Sequence, residues 1–394
     1  MKNNRTFLEK LLDGAEVEWK PLIKVASLTR GRVISKEYLA DNLGDYPVYS
    51  SQTVNNGEIG KINSFDFDGE FVSWTTDGAN AGTVFYRSGK FSITNVCGLI
   101  KIQNNLELNY KFLFYWLSIE AKNHVYSGMG NPKLMSHQME KILIPIPPLS
   151  VQTEIVRILD ALTALTSELT SELTLRQKQY EYYREKLLSE EELEKVGFEW
   201  RTLEELVEKT QNIKWKNNTK TYRYIDLTSV DRENNSITGT IEINALNAPS
   251  RAQKIVKEND IIFATTRPTQ QRIASITKEF SGEIASTGYC VLRANTDIVL
   301  PKWLFYFLST INFKNYVEEN QSGSAYPAIS DSKVKEFRIP VPDVTIQQSI
   351  IEKLDKFYGL TNSLLHGLPK EINNRTKQYL YYQEELLNFK GEDL

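Results

Sequence analysis

The sequence predicts an α+β fold: a tandem pseudo-two-fold repeat of a mixed α/β globule followed by a long helix, the two helices packing as an antiparallel coiled coil. Three observations carry this expectation. Motifs within residues 18–188 recur in the same order within residues 199–387. Short β-branched and aromatic runs, broken by Gly, Asn and Asp, fill the first part of each copy. Proline-rich punctuation then gives way to apolar residues at heptad spacing.

In chain order, Glu18-Trp19 matches Glu199-Trp200 at an offset of 181. Thr75-Thr76 matches Thr265-Thr266 at 190, and Cys97 matches Cys290 at 193. The run 111–118 (KFLFYWLS) matches 302–309 (KWLFYFLS) at 191. Ile144-Pro145-Ile146-Pro147 matches Ile339-Pro340-Val341-Pro342 at 195, as Gln152 matches Gln347. Arg176 and the Gln179-Tyr180 pair match Arg375 and Gln378-Tyr379 at 199. Small loop insertions explain the growing offset, and a unit this long is no solenoid repeat.

Strands are expected at 70–74, 83–87 and 96–102, and again at 261–265 and 289–293, with one helix following in each copy at 109–121 and 301–312. Prolines at 145–148 and 340–342 end each globule, because proline interrupts a backbone ladder. A helix over 150–188 then places Ile155, Leu159, Leu162, Leu169, Leu173, Tyr180, Tyr183 and Leu187 at heptad a and d positions, with Thr166 and Arg176 interrupting them. The C-terminal counterpart carries Ile350, Leu354, Phe357 and Leu364, a Gly367-Leu368-Pro369 break that restarts it near Lys370, then Ile372, Tyr379, Tyr382 and Leu386. The domains are therefore expected at 1–148, 149–195, 196–343 and 344–394.

The chain has 394 residues, two cysteines and a formal net charge of −3. Cys97 and Cys290 give neither a disulfide framework nor a cysteine-rich zinc site. The longest obvious apolar run, 112–117, is far short of a membrane span, and Met1-Lys2-Asn3-Asn4-Arg5 leads into no signal-peptide core, so a cytoplasmic protein is expected. The whole-chain charge argues against a nucleic-acid partner until it is divided. The globule segments 1–140 and 196–335 carry 0 and +2, and the helical segments 141–195 and 336–394 carry −3 and −2. Two copies in one chain imitate a two-fold dimer, and a helical rod of 38 residues, roughly 57 Å, suits an elongated ligand touched at two places. Double-stranded DNA fits, since half-sites one turn apart lie ~34–36 Å apart.

Residues 20–36 hold Lys20, Lys24, Arg30, Arg32 and Lys36 without an acid, and 209–225 hold Lys209, Lys214, Lys216, Lys220 and Arg223 likewise. Such stretches, the second with Trp215 and Tyr222 among its basic residues, supply phosphate and base-edge contacts. A second candidate follows the Thr pairs, Thr76 and Thr266. There Asp77 and Asn80 in the first copy face Arg267, Gln270, Gln271 and Arg272 in the second. Arg favours guanine and Asn or Gln favours adenine, so matching frames with divergent loops suit two heads reading different bases. A third candidate is the Gly/Ser-rich pair of segments 127–133 and 322–326, with Lys133 and Tyr326. A plain solvated loop or hairpin is the bland reading of each.

At this point the chain resembles the specificity (S) subunit of type I restriction–modification systems. The marks are IPIPPLSVQ over 144–152 and IPVPDVTIQ over 339–347, each leading into a helix that ends Lys-Gln-Tyr, Tyr-Tyr, Leu-Leu. The resemblance covers nearly the whole chain. It implies that the globules are target recognition domains and that the helices are conserved spacers docking two modification (methyltransferase) subunits. The target is then a bipartite DNA site with an unspecified gap. Adenine methylation and ATP-driven cleavage would belong to the modification and the restriction (helicase–nuclease) subunits. The near-repeat Leu162-Thr163-Ala164-Leu165, Thr166-Ser167-Glu168-Leu169, Thr170-Ser171-Glu172-Leu173 is similar to elements that set the gap in related subunits.

No catalytic centre, metal site or cofactor site is expected. Gly82 to Gly89-Lys90 is spaced too widely for a phosphate loop, and Phe91 stands where Ser or Thr is needed. The Asn/Asp-Pro-Pro-aromatic motif of adenine methyltransferases is missing, and Asn131-Pro132-Lys133 does not replace it. Glu18-Trp19-Lys20 lacks an upstream acidic ligand, and His124, His137 and His366 have no ligand spacing. The alternative is a non-DNA scaffold that uses the helix pair to bind proteins, for which two different heads serve no purpose.

Overall fold

The computed structural model describes residues 6–128, 130–232, 234–362 and 367–389, so Leu364 and His366 lie outside it. Two compact units emerge, one of residues 1–166 with 375–394 and one of 167–374. The division falls inside the helix Leu149–Leu187. Each unit therefore draws helix from the middle of the chain and from its end.

In the first unit a six-stranded sheet runs in the order Ala26–Arg30, Cys97–Ile102, Phe67–Thr75, Val84–Ile93, Leu43–Tyr49, Glu58–Ile62. One face carries Val72, Trp74, Val84 and Ile100, which pack on the helix Tyr110–Glu120 and on Ile155, Leu159, Leu386, Leu387 and Phe389 of the long helices and chain end. That helix starts where the Asn109 side chain accepts from the backbone N–H groups of Lys111 and Phe112, a side-chain N-cap. The opposite face holds a smaller aromatic core of Phe71, Phe91, Ile93, Cys97 and Leu99.

The second unit repeats this frame with the long hairpin broken. Ile261–Ala264 and Ile273–Ser275 join a four-stranded sheet, while Ala252–Ile255 and Ile284–Ser286 join a five-stranded one. Asn259, at φ 69°, turns the chain between them. Two-stranded pairs close both globules in the same register, Trp19 opposite Pro145 and Trp200 opposite Pro340. The expected helix over 301–312 is two helices, Pro301–Leu308 and Ile311–Asn320. Thr310 separates them, its hydroxyl accepting from the N–H of Phe313. The C-terminal helical segment is described as Val344–Asn362 and Gly367–Leu387, with Gly367 at φ 75°. Pro369 sits in the first turn of the latter, where its missing N–H costs nothing.

Strand register aligns the units residue by residue and corrects two sequence pairings. Trp74 lies opposite Gly98 and Val84, as Phe263 lies opposite Cys290 and Ile273. Thr76 O accepts from Leu134 N as Thr265 O accepts from Ile329 N. Thr76 is thus equivalent to Thr265, and Cys290 replaces Gly98, not Cys97. A Cβ at Gly98 would meet the Trp74 ring at 2.1 Å, so tryptophan with glycine in one core exchanges for phenylalanine with cysteine in the other. Close-packed interiors tolerate such swaps only when volume is conserved. Gly98→Ala is expected to cost about 2 kcal/mol in urea denaturation, and pairing it with Trp74→Phe is expected to recover most of that loss.

The helices are tied to each globule by one polar arrangement used twice. Gln152 and Gln347 are fully buried. The Gln152 side chain accepts from Asn109 N (2.9 Å) and donates to Glu107 O (2.8 Å) and Pro147 O (2.9 Å). Gln347 accepts from Leu300 N (2.9 Å) and donates to Ile298 O (3.0 Å) and Pro342 O (2.9 Å). Two turns further on, Asp160 takes Lys111 and Tyr115, and Asp355 takes Lys302 and Tyr306. Burial and the neighbouring carboxylate push the Tyr115 and Tyr306 hydroxyls upward, keeping them donors.

The heptad positions divide by place. Ile155, Leu159 and Leu386 lie in the first globule's core with Tyr379 against it, and Tyr180, Ile350 and Leu354 lie in the second's with Leu187 and Phe357 against it. Further along the helix Leu149–Leu187, Leu162, Thr166, Leu169, Leu173 and Arg176 recur at heptad spacing and are half-buried.

Candidate nucleic-acid interface

The second and third candidate regions meet in both units. Asp77 and Tyr126 each bridge to Lys133 in the first; Thr266 and Ser322 each bridge to Ala328 in the second. Gly78 N donates to Pro132 O (3.0 Å) as Arg267 N donates to Pro327 O (2.7 Å). The loops have equal length and turn through positive φ at the same two positions. Gly78 (φ 87°) and Gly82 (φ 78°) stand where the second unit has Arg267 (φ 49°) and Gln271 (φ 52°). Glycine adopts positive φ freely and other residues do so at a cost. A Cβ at Gly78 would meet nothing within 4 Å, so the position opens outward. Arg267 uses that opening: its guanidinium lies 5.1 Å from the centroid of the Tyr326 ring, which is 72% exposed.

The first unit builds its platform differently. Arg30 reaches in from the strand Ala26–Arg30, donating to Thr76 Oγ1 (3.0 Å) and Asn95 O (2.7 Å). Thr76 is fully buried and holds Arg30 in place; it does not face outward. The Asn80 amide is spent on Ser51 O (3.1 Å), while Lys133 is exposed. The sequence reading passed over Tyr126, 66% exposed on the platform that bears Lys133. Its signal was an aromatic residue directly before the Ser127-Gly128 pair.

Other expected contacts are placed apart or already paired. The two acid-free stretches coincide only in part. Ala26–Arg30 pairs with Cys97–Ile102 as Val207–Glu208 pairs with Tyr289–Ala294, whereas Tyr222–Ile225 runs parallel to Ile284–Ser286. Arg32 is bonded to Asp66 (2.9 Å) and lies over Tyr38. Arg223 is held by Glu279 (2.6 Å) and Glu283 (3.3 Å); the Glu279 hydrogen bond, above all, raises its pKa. Arg272 donates to Val230 O (2.7 Å) and to the Gln270 side chain (3.3 Å). Gln271 buries its Nε2 without a partner among the described residues. Lys24, Lys214 and Lys216 are exposed. Among the described residues no three His, Cys, Asp or Glu side chains converge as a metal site, and no helix is long and apolar enough to cross a membrane.

Comparison with known proteins decides the family. The type I restriction modification DNA specificity domain matches residues 16–176 and 195–374. The chain belongs to that family. Chains described as type I specificity subunits are 35% identical in Haemophilus influenzae, over 99% of this chain and 100% of that one, and 32% identical in Mycoplasma pneumoniae, over 93% and 96%. A type I restriction enzyme specificity subunit of Escherichia coli is 30% identical over 98% of this chain and 97% of its own. The crystal structure of a type I restriction-modification S subunit from M. genitalium has the same fold, with a TM-score of 0.62 over 99% of both chains at 16% identity. The two family matches coincide with the two copies of the internal repeat, so the type I specificity family and the tandem α+β repeat are as the sequence led us to expect.

Proposed function

We propose that this chain recognises DNA for a type I restriction–modification complex. Residues 1–148 and 196–343 act as two heads, each reading one half of a bipartite double-stranded target. Segments 149–195 and 344–394 set the gap and dock two modification subunits, with restriction subunits joining the complex in the cytoplasm. Chemistry belongs to those partners, and this chain binds and positions without a cofactor. The observation that carries the reading is the shared loop. One loop length, with positive φ at the same two positions, presents Gly78 in one head and a strained arginine beside an exposed tyrosine in the other. A scaffold has no use for that difference, whereas two unequal half-sites require it. Arg267 suits bidentate contact to guanine, Tyr326 offers a stacking face, and Lys24, Arg30, Lys133, Lys214 and Lys216 supply phosphate contacts.

Mapping methylated adenines in host DNA with and without the gene tests this. Loss of a bipartite motif is the expected result, and an unchanged methylome overturns it. Deleting residues 170–173 removes about 6 Å of helix, against ~3.4 Å per base-pair step. The gap is expected to shorten by one or two base pairs while both half-sites keep their bases.

A further inference from the structure

Arg87, on the strand Val84–Ile93, is 2% exposed. Its Nε donates to Ser73 Oγ (3.1 Å), and its guanidinium lies 3.6 Å from the Tyr49 ring centroid and 4.4 Å from that of Phe85. Nη1 is buried with no hydrogen-bond partner among the described residues. Burial lowers the guanidinium pKa to about 10, and Tyr49, Cys97 and Glu58 oppose that shift without cancelling it. A buried cation with an unmatched donor is costly to keep.

The fold does not demand it. Three residues past Val84, which faces Trp74, the first unit has Arg87; three residues past Ile273, which faces Phe263, the second has Ile276. Ile276 is 1% exposed and packs in a hydrophobic cluster. The same place in the same frame is therefore filled by isoleucine, and exchanging an unmatched buried charge for apolar volume is often neutral or stabilising.

Its surroundings face the reading loop. A Cβ on Gly57 (φ +83°) would sit 3.1 Å from Arg87 Nη2, so the 50–57 turn lies against the Nη2 edge of the guanidinium. That turn holds Asn55 and Asn56 at positive φ, and Ser51 O accepts from the Asn80 side chain of the 76–82 loop. We infer that Arg87 is a phosphate-binding residue of the first head: when the 50–57 turn shifts on binding, a DNA backbone oxygen takes the unmatched Nη1. The inference rests on the DNA-reading role proposed above. Guanidinium–phosphate hydrogen bonds are charge-assisted, and loop movements of this size accompany a substantial minority of complexes.

The test uses the full-length chain with its modification subunits and a duplex bearing the motif returned by methylation mapping. Arg87→Ile is expected to leave the melting midpoint at or above that of the parent. Affinity is expected to weaken about 10-fold at low salt, and the slope of log K against log salt to flatten by about 0.9, one phosphate contact. Arg87→Lys keeps the charge and is expected to restore most of the slope. Unchanged affinity and slope in Arg87→Ile overturn the inference, as does a lowered midpoint with normal binding by the folded protein, which marks a structural cation. Weakened affinity at an unchanged salt slope overturns the phosphate assignment. If the parent complex shows no preference for the motif, the DNA-reading role itself fails, whatever Arg87 does.

Discussion

Gln152→Leu is expected to lower the stability of the first unit by about 4 kcal/mol, since each buried group deprived of its partner costs roughly 1–3 kcal/mol. Leucine keeps nearly the same volume, so no large cavity adds to the loss. What goes is the set of three bonds joining the N-cap residue of the helix Tyr110–Glu120, the chain just before it and the proline turn that opens the long helix. Gln347→Leu breaks the same three bonds in the second unit and is expected to cost the same. The two sites share no partner, so their costs are expected to add. Urea denaturation of the full chain measures this, and a loss below about 1 kcal/mol would mean that the freed N–H and carbonyl groups find other partners. The functional consequence follows from position. Each glutamine fixes a globule to its helix, so its loss is expected to cut methylation at bipartite sites even where the folded fraction remains high.

What the sequence made legible was whatever is written twice. Prolines 145 and 340, Gln152 and Gln347, and the Lys-Phe/Trp-Leu-Phe-Tyr helices match because buried hydrogen bonds and cores constrain both copies alike. The register inside the sheet was less legible. Thr75-Thr76 and Thr265-Thr266 align by identity, but Trp74 on Gly98 and Phe263 on Cys290 trade volume across strands, a compensation that no single position displays. Basic residues misled for a different reason. Arg32 and Arg223 read as free charges in acid-free stretches, yet Asp66, Glu279 and Glu283 reach them from 34 to 60 residues away. Arg87 drew no notice because a lone arginine within a strand run says nothing about burial. Only comparison with Ile276 in the same place makes it unusual. The equal loops were visible as divergence, but their shared positive φ values were hidden, because Arg267 and Gln271 do not resemble Gly78 and Gly82.

Arg267→Gly separates reading from folding more cleanly than a change to alanine. Glycine is the residue the first unit uses at this position, and it removes a left-handed arginine whose strain costs on the order of 1 kcal/mol. Against that stand an exposed cation–π contact with Tyr326 of about 0.5–1 kcal/mol and the greater freedom of glycine in the unfolded chain, about 0.4–1 kcal/mol. These terms offset one another, so stability is expected to stay within about 1 kcal/mol of the parent. Recognition has no such offset. A bidentate arginine discriminates its base by about 1–3 kcal/mol, and a stacked aromatic ring adds about 1–3 kcal/mol. The double variant Arg267→Gly/Tyr326→Ala is therefore expected to weaken discrimination at the second half-site by 10²–10³-fold, about 3–4 kcal/mol. The first half-site and the gap are expected to stay as they were, because Gly78, Tyr126 and Lys133 are untouched. Methylation mapping reads this directly as a motif degenerate in one half only. Loss of both halves together would mean that the platform supports the fold, and an unchanged motif would mean that the second head reads its bases elsewhere.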